Sequence, residues 1–153
     1  VNVKWVTWIV SLLFVFVMHY ADAYPLTEIK LLSDDVTSVY DGDTLTVQVP
    51  YIPDVFGKDL SIRIVGIDTP EMRSTCATKE QRDREKALAI RARDVVVAMV
   101  TSGHRVTLTN LDRDKYFRML ASVYVDGRSV SDELIAQGLA VPYSGDTKIG
   151  WCG

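Results

Sequence analysis

Alternation of apolar and polar residues is clearest from Asp43 to Val49, where Leu45, Val47 and Val49 share one face and Thr44, Thr46 and Gln48 the other. A period of two is the signature of a half-buried strand. Asp43 has the parity of the apolar face, so its carboxylate is expected at the mouth of the core that this strand lines. Upstream, Leu26 to Val39 reads as extended, with a turn or bulge at Ser33-Asp34-Asp35. Asp41-Gly42 makes a tight turn. After a loop from Pro50 to Lys58, Leu60 to Ile67 is apolar on both faces apart from Arg63, the pattern of a strand covered on both sides. Arg105 to Asn110 and Arg118 to Val125 complete a set of five strands, and Asp126-Gly127 is a hairpin-type turn.

Between the third and fourth strands the period changes. Lys79 to Ser102 reads as a long helix whose inward stripe is Leu88, Ala92, Val95 or Val96, and Met99, with Gly103 suited to its C-terminal cap. Ser131 is expected to cap a second, short helix with Asp132 and Glu133 in its first turn and Gly138 just beyond its end. From Val141 to Gly153 there is no periodicity. The order of elements predicts a mainly β fold with helices (α+β), a five-stranded, partly open Greek-key barrel of the OB kind.

The N-terminal pattern belongs to a different class. Lys4 precedes an apolar run from Trp5 to Met18, followed by Ala21-Asp22-Ala23, which has the small-x-small form of a signal-peptidase site. The run falls short of the roughly 20 apolar residues of a membrane helix. Residues 1–23 are therefore expected to be a signal peptide, with a buried helix or an uncleaved anchor as the alternatives. Residues 24–153 form one domain, exported to the periplasm or secreted, without stable membrane association after cleavage and monomeric by default.

Net charge is −3 and the isoelectric point about 5.3, so the chain as a whole is not a basic nucleic-acid binder. Any site for a polyanion has to be locally positive, or made so by a metal. Cys76 and Cys152 are the two cysteines. Export leaves open both a disulfide and two free thiols, and two sulfurs are too few for a thiolate metal site.

Candidate chemistry gathers at Arg63-Ile64-Val65-Gly66-Ile67-Asp68-Thr69-Pro70-Glu71, where a strand starting near an arginine ends in two carboxylates and a proline that stops it. Asp43 and Asp68, with the backbone of Thr69, offer oxygen ligands suited to Ca²⁺ or Mg²⁺ rather than zinc. Glu71 is then free to act on a water, and Asp41 to orient water around the metal. Arg63 and Arg118 each present a planar fork that matches phosphate oxygens. Singly, each arginine is as readily a structural partner, Arg63 of Asp68 and Arg118 of Asp114. Histidine chemistry fits poorly, since His19 lies in the leader and His104 stands alone at a helix–strand junction.

The blocks Val39-Tyr40-Asp41-Gly42-Asp43-Thr44, Arg63 through Glu71, Asp114-Lys115-Tyr116-Phe117-Arg118 and Gln137-Gly138-Leu139-Ala140 closely resemble, in order and approximate spacing, the signatures of the thermonuclease, or staphylococcal nuclease-like, family. The resemblance runs from about Thr27 to Tyr143. It implies an OB-fold, Ca²⁺-dependent nuclease that cuts the P–O5′ bond of DNA and RNA and leaves 3′-phosphates. It also implies roles: Asp43, Asp68 and the Thr69 carbonyl for calcium, Glu71 as general base or water-positioning group, and Arg63 and Arg118 on the phosphate. Lys115, Tyr116 and Tyr143 correspond to substrate-side residues. Phe117 departs from the pattern, standing where the family commonly has glycine. Trp151-Cys152 resembles the end of known relatives, which favours a Cys76–Cys152 disulfide. The rival is a non-catalytic OB module that binds nucleic acid or protein; such relatives lack some of the acidic and arginine positions, and this chain has all of them.

Overall fold

The computed structural model describes residues 27–145, 147, 148 and 150–153. The expected signal peptide, residues 1–23, lies outside the described residues. Among the described residues, no helix is long and apolar enough to cross a membrane.

Strands β1 (Glu28–Leu32) and β2 (Val36–Val39) are two halves of one extended stretch, broken by a 3-10 turn at Ser33–Asp35 where the sequence pattern placed an interruption. β3 (Thr44–Val47) pairs antiparallel with β2 and with β4 (Leu60–Ile64). β4 then pairs in parallel with β7 (Met119–Val125), β7 antiparallel with β6 (Arg105–Arg113), and β6 antiparallel with β1. The order β1-β6-β7-β4-β3-β2 therefore begins and ends on the same stretch of chain, which curls the sheet into a Greek-key barrel. The five expected strands are all present, the first in two pieces, and three two-residue strands are added.

Two of those additions shape the site. The expected single strand Leu60 to Ile67 is broken, because Gly66 at φ +81° turns the chain out of the barrel sheet after Ile64. β5 (Ile67–Asp68) pairs instead with β9 (Val141–Pro142), which lies in the tail expected to lack regular structure. β8 (Arg128–Ser129) follows the Asp126-Gly127 hairpin turn and pairs with β7.

A short helical turn, α1 (Asp54–Gly57), sits in the β3–β4 loop. The long helix α2 (Lys79–Ser102) has the predicted bounds; Thr78 caps it, its hydroxyl accepting the Gln81 amide while the Gln81 side chain reciprocates. Its buried stripe is Glu85, Ala89, Ala92, Val96, Met99 and Val100. Ala92, Val96 and Met99 were expected; Leu88 is only partly buried, because the stripe continues through Ala89 and Glu85. The last helix, α3 (Val130–Ala136), is capped by Ser129 rather than Ser131. Val130 is fully buried and already helical, so the hydroxyl before it receives the Asp132 amide at 3.1 Å.

The barrel is filled by aliphatic side chains from its long strands, including Leu45, Val47, Ile62, Ile64, Val106, Leu108 and Val123, and sealed by Ala92 and Val96 of α2 and Leu134 of α3. One rim of this core carries carboxylates.

Candidate active site

Asp41 and Asp43 flank Gly42 at the start of β3. A Cβ on Gly42 would lie 2.8 Å from that of Ala92 and 2.9 Å from Thr69 Cγ2, so glycine is what lets this turn sit against α2 and the Asp68–Thr69 segment. All three aspartates, Asp41, Asp43 and Asp68, are buried. Asp43 is held by Thr69, whose amide and hydroxyl donate to Oδ2 at 3.3 and 3.0 Å, and by Thr44, whose hydroxyl donates to Oδ1 at 3.1 Å. The Arg63 guanidinium is ion-paired with Asp43 Oδ1 and reaches to 3.7 Å from Asp68 Oδ1. Sheet register fixes that contact, since Arg63 is paired across the ladder with Thr44, next to Asp43.

The expectation of a carboxylate at the mouth of the core is met, with an electrostatic consequence. Burial, followed by the nearby Asp43 charge, pushes Asp41 up to about 7. Burial also pushes Asp43 up, against the opposing pull of Arg63, Thr69 and Thr44. Asp68 Oδ1 has the charge contacts of Arg63 and Lys148 but no directed hydrogen bond, and it is buried. Buried carboxylate oxygens gathered at one rim, one of them without a directed hydrogen bond, fit a hard divalent cation, whose charge would favour their ionised form. The protein ligands would be Asp43, Asp68 and the Thr69 carbonyl, completed by water. Asp41 does not join them in a tight three-carboxylate cluster; among the described residues the one such group of acid and sulfur side chains is Cys76, Glu85 and Cys152. Its sulfurs are consumed in a disulfide, so it is not a metal centre.

Glu71 follows Pro70 with its side chain 41% exposed, its amide donating to Glu85 Oε1 of α2 at 3.1 Å. Arg118 precedes β7. Its Nε donates to Asp114 Oδ2 at 2.8 Å, and its guanidinium lies 5.8 Å from the Tyr116 ring centre, with Lys115 Nζ 5.1 Å from the same ring. Arg118 thus has the structural partner foreseen for it, and Arg63 has Asp43 rather than Asp68 as its main one. Phe117 is exposed with φ +65°, the left-handed region that favours glycine, so the turn keeps the shape of a glycine turn with a phenylalanine in it. Tyr143 donates its amide to the Gly66 carbonyl at 2.9 Å, which places it beside Arg63.

These residues converge on one groove of about 770 Å³, whose walls include Asp41, Arg63, Glu71, Lys115, Tyr116, Arg118 and Tyr143. Asp43, Asp68 and Thr69 lie buried beneath it.

A family model described as staphylococcal nuclease homologue matches residues 61–149, more than half of the chain. The chain belongs to the staphylococcal nuclease homologue family. Endonuclease YncB of Bacillus subtilis (strain 168) is 35% identical over 115 residues, covering 72% of this chain and 48% of that protein. The SPbeta prophage-derived endonuclease YokF of the same organism is 38% identical over 115 residues, 72% of this chain and 34% of its own length. An uncharacterized endonuclease of Escherichia coli O157:H7 is 33% identical over 109 residues, 71% and 59% respectively. The chain spans between about a third and three-fifths of the length of these relatives.

Three residues of this staphylococcal nuclease homologue at the site escape a reading of its sequence. Lys148 Nζ lies 2.8 Å from Asp68 Oδ1 and 2.6 Å from Glu71 Oε1, and Trp151 Nε1 donates to Asp68 Oδ2 at 3.2 Å. Both sit in the aperiodic tail, brought home by the Cys76–Cys152 disulfide that the resemblance favoured. Glu85 had a legible signal, a charge four residues before Ala89 on the buried helical stripe. His104 is exposed beside Asp126, away from the groove, as its lone status suggested.

Proposed function

We propose that the protein is an exported, Ca²⁺-dependent nuclease that hydrolyses phosphodiester bonds of DNA and RNA as a monomer. The observation that carries this reading is the convergence of Arg63, Glu71 and Arg118 on one groove above the buried carboxylates Asp43 and Asp68. Family membership and the endonuclease names of the relatives agree with it.

Substrate phosphate lies in the groove between the two guanidiniums, which donate to its non-bridging oxygens. Glu71, half-exposed above the buried aspartates, accepts a proton from the attacking water or orients it. Arg63 and Arg118 then oppose the negative charge that builds on the pentavalent phosphorus, a contribution on the order of 10²–10³ in rate per contact. Arg118, on the outer turn, is placed to assist the departing 5′ oxygen, leaving a 3′-phosphate. Lys115 adds positive charge along the strand, and Tyr116 and Tyr143 offer faces for stacking bases. Bound at Asp43, Asp68 and the Thr69 carbonyl, Ca²⁺ would supply a fixed positive charge and lower the pKa of bound water. Asp41 would hydrogen-bond the water around that ion. Calcium suits two carboxylates and a carbonyl better than magnesium does, because it accepts irregular, water-completed shells.

Purified protein is expected to digest single- and double-stranded DNA and RNA when Ca²⁺ is added, to stop in chelator, and to yield ends that a 3′-phosphatase converts to primers. Digestion that persists in chelator would refute the calcium dependence, and 3′-hydroxyl ends would refute the bond assignment.

A further inference from the structure

Beyond β9, Lys148 and Trp151 lie against the carboxylates, and Cys152 fastens the chain next to them. Cys152 is bonded to Cys76 across 76 residues of sequence, and Gln81 Nε2 of α2 donates to the Cys152 carbonyl at 2.9 Å. On the way, Trp151 takes one oxygen of Asp68, and the Lys148 ammonium lies between the other oxygen and Glu71. The residue assigned to hold the cation and the residue assigned to handle water therefore share one lysine. A lysine amine is cationic at neutral pH, so the group set between the two carboxylates is a positive charge at 2.8 and 2.6 Å from them. Two carboxylates this close to a common point repel when no cation separates them, and the ammonium offsets that repulsion.

We propose that Lys148 is a positioning residue, the resident counter-ion of Asp68 and Glu71 in the metal-free protein, kept there by the Cys76–Cys152 strap and displaced when a divalent cation binds Asp68. The proposal rests on the cation-dependent reading above. An ammonium and a divalent cation cannot neutralise the same oxygen without repelling each other, so their occupancies compete. The metal-free state stabilised by the lysine sets an apparent affinity weaker than the carboxylates alone would give. Closing the strap raises the effective concentration of the ammonium at its site, and opening it lowers that concentration. Reduction of the disulfide is thus predicted to tighten cation binding, even as it destabilises the fold.

Calorimetric titration of the full chain with calcium chloride, paired with thermal unfolding in chelator and in saturating Ca²⁺, tests this. Lys148→Gln should bind Ca²⁺ on the order of tenfold more tightly than wild type. It should melt at a lower temperature in chelator but not in saturating Ca²⁺. Cys76→Ala/Cys152→Ala should shift affinity in the same direction by a smaller factor; should that variant fail to fold, Lys148→Gln alone decides. Unchanged or weaker binding in Lys148→Gln, or an equal loss of melting temperature in both conditions, would overturn the proposal. Tighter binding by Lys148→Gln in a protein with no nuclease activity would uphold the counter-ion and sink the nuclease reading instead. Absence of any calcium binding in wild type would remove both the cation site and the lysine's assigned role.

Discussion

Arg63–Asp43 and Arg118–Asp114 are both arginine–aspartate pairs at the groove, yet they are built differently. Arg63 on β4 meets Asp43 at the entry to the neighbouring strand β3, 20 residues away in sequence, with side chains 14% and 1% exposed. Arg118 and Asp114 lie four residues apart across one turn and are 38% and 14% exposed. The first pair is fixed by sheet register and sealed against solvent, so its arginine cannot leave without stranding a buried charge. The second is a local, solvated contact, and its arginine can exchange aspartate for phosphate at little cost. On the proposed reading the two guanidiniums directed at one groove would divide the work: Arg63 would act as a fixed wall, and Arg118 as the partner free to turn onto the substrate.

Substitution of each arginine breaks this comparison most directly. Arg63→Ala should lower turnover by about 10²–10³ and also cost about 3–5 kcal/mol of stability, because Asp43 is left buried and unpaired. Denaturant midpoints and single-turnover rates measure the two effects. Arg118→Ala should lower turnover by a similar order, about 10²–10³, while leaving the melting temperature almost unchanged. A large stability loss in Arg118→Ala, or none in Arg63→Ala, would erase the distinction.

A smaller effect concerns the buried side alone. Asp41, raised from 3.8 to about 7, is held protonated by the fold. The folded state therefore gains stability from this proton below about pH 4, and loses it as pH rises through about 7. In chelator, Asp41→Asn, a neutral stand-in, should be more stable than wild type near pH 7, and the difference should vanish toward pH 4. A constant difference across that range would mean that Asp41 does not titrate as its burial requires.

The least effect is expected on the exposed side. Phe117→Gly relieves a φ of +65° and should stabilise the protein by up to about 1 kcal/mol, part of the gain being offset by glycine's unfolded-state entropy. Its melting temperature should rise slightly, and a fall would show that the ring contributes packing that outweighs the backbone strain. Arg113, 5.9 Å from the Phe117 ring, is the packing partner in question.

How legible each region was in the sequence follows the same division. The strand period placed Asp43 on the buried face, and Pro70 marked where the chain had to turn, so the carboxylate side could be read from parity and punctuation. The long helix was legible to the residue because Thr78 and Gly103 bracket an unbroken helical stretch. Register was not legible. Nothing in the local pattern says that Arg63 lies opposite Thr44 and therefore meets Asp43 before Asp68. A single glycine between apolar residues does not declare a positive φ, so the local pattern runs one strand through Gly66. The tail was opaque for a different reason: Lys148 and Trp151 reach Asp68 through a disulfide and a two-residue strand pair, long-range constraints that leave no periodic trace. Ser131 carries the cap signal in the sequence because the acidic pair follows it directly, while the burial of Val130, which moves the helix start back to Ser129, appears only in three dimensions.

The central claim is that this groove is a cation-dependent phosphodiester-cleaving site. The most direct measurement is digestion of a labelled DNA oligonucleotide by the purified wild-type protein and by Glu71→Gln, each with Ca²⁺ and with chelator. The account predicts cleavage by wild type with Ca²⁺, none in chelator, and a loss on the order of 10²–10³ in Glu71→Gln with calcium binding retained. Binding of the oligonucleotide without cleavage under every condition would contradict it, and would identify the domain as a binding module.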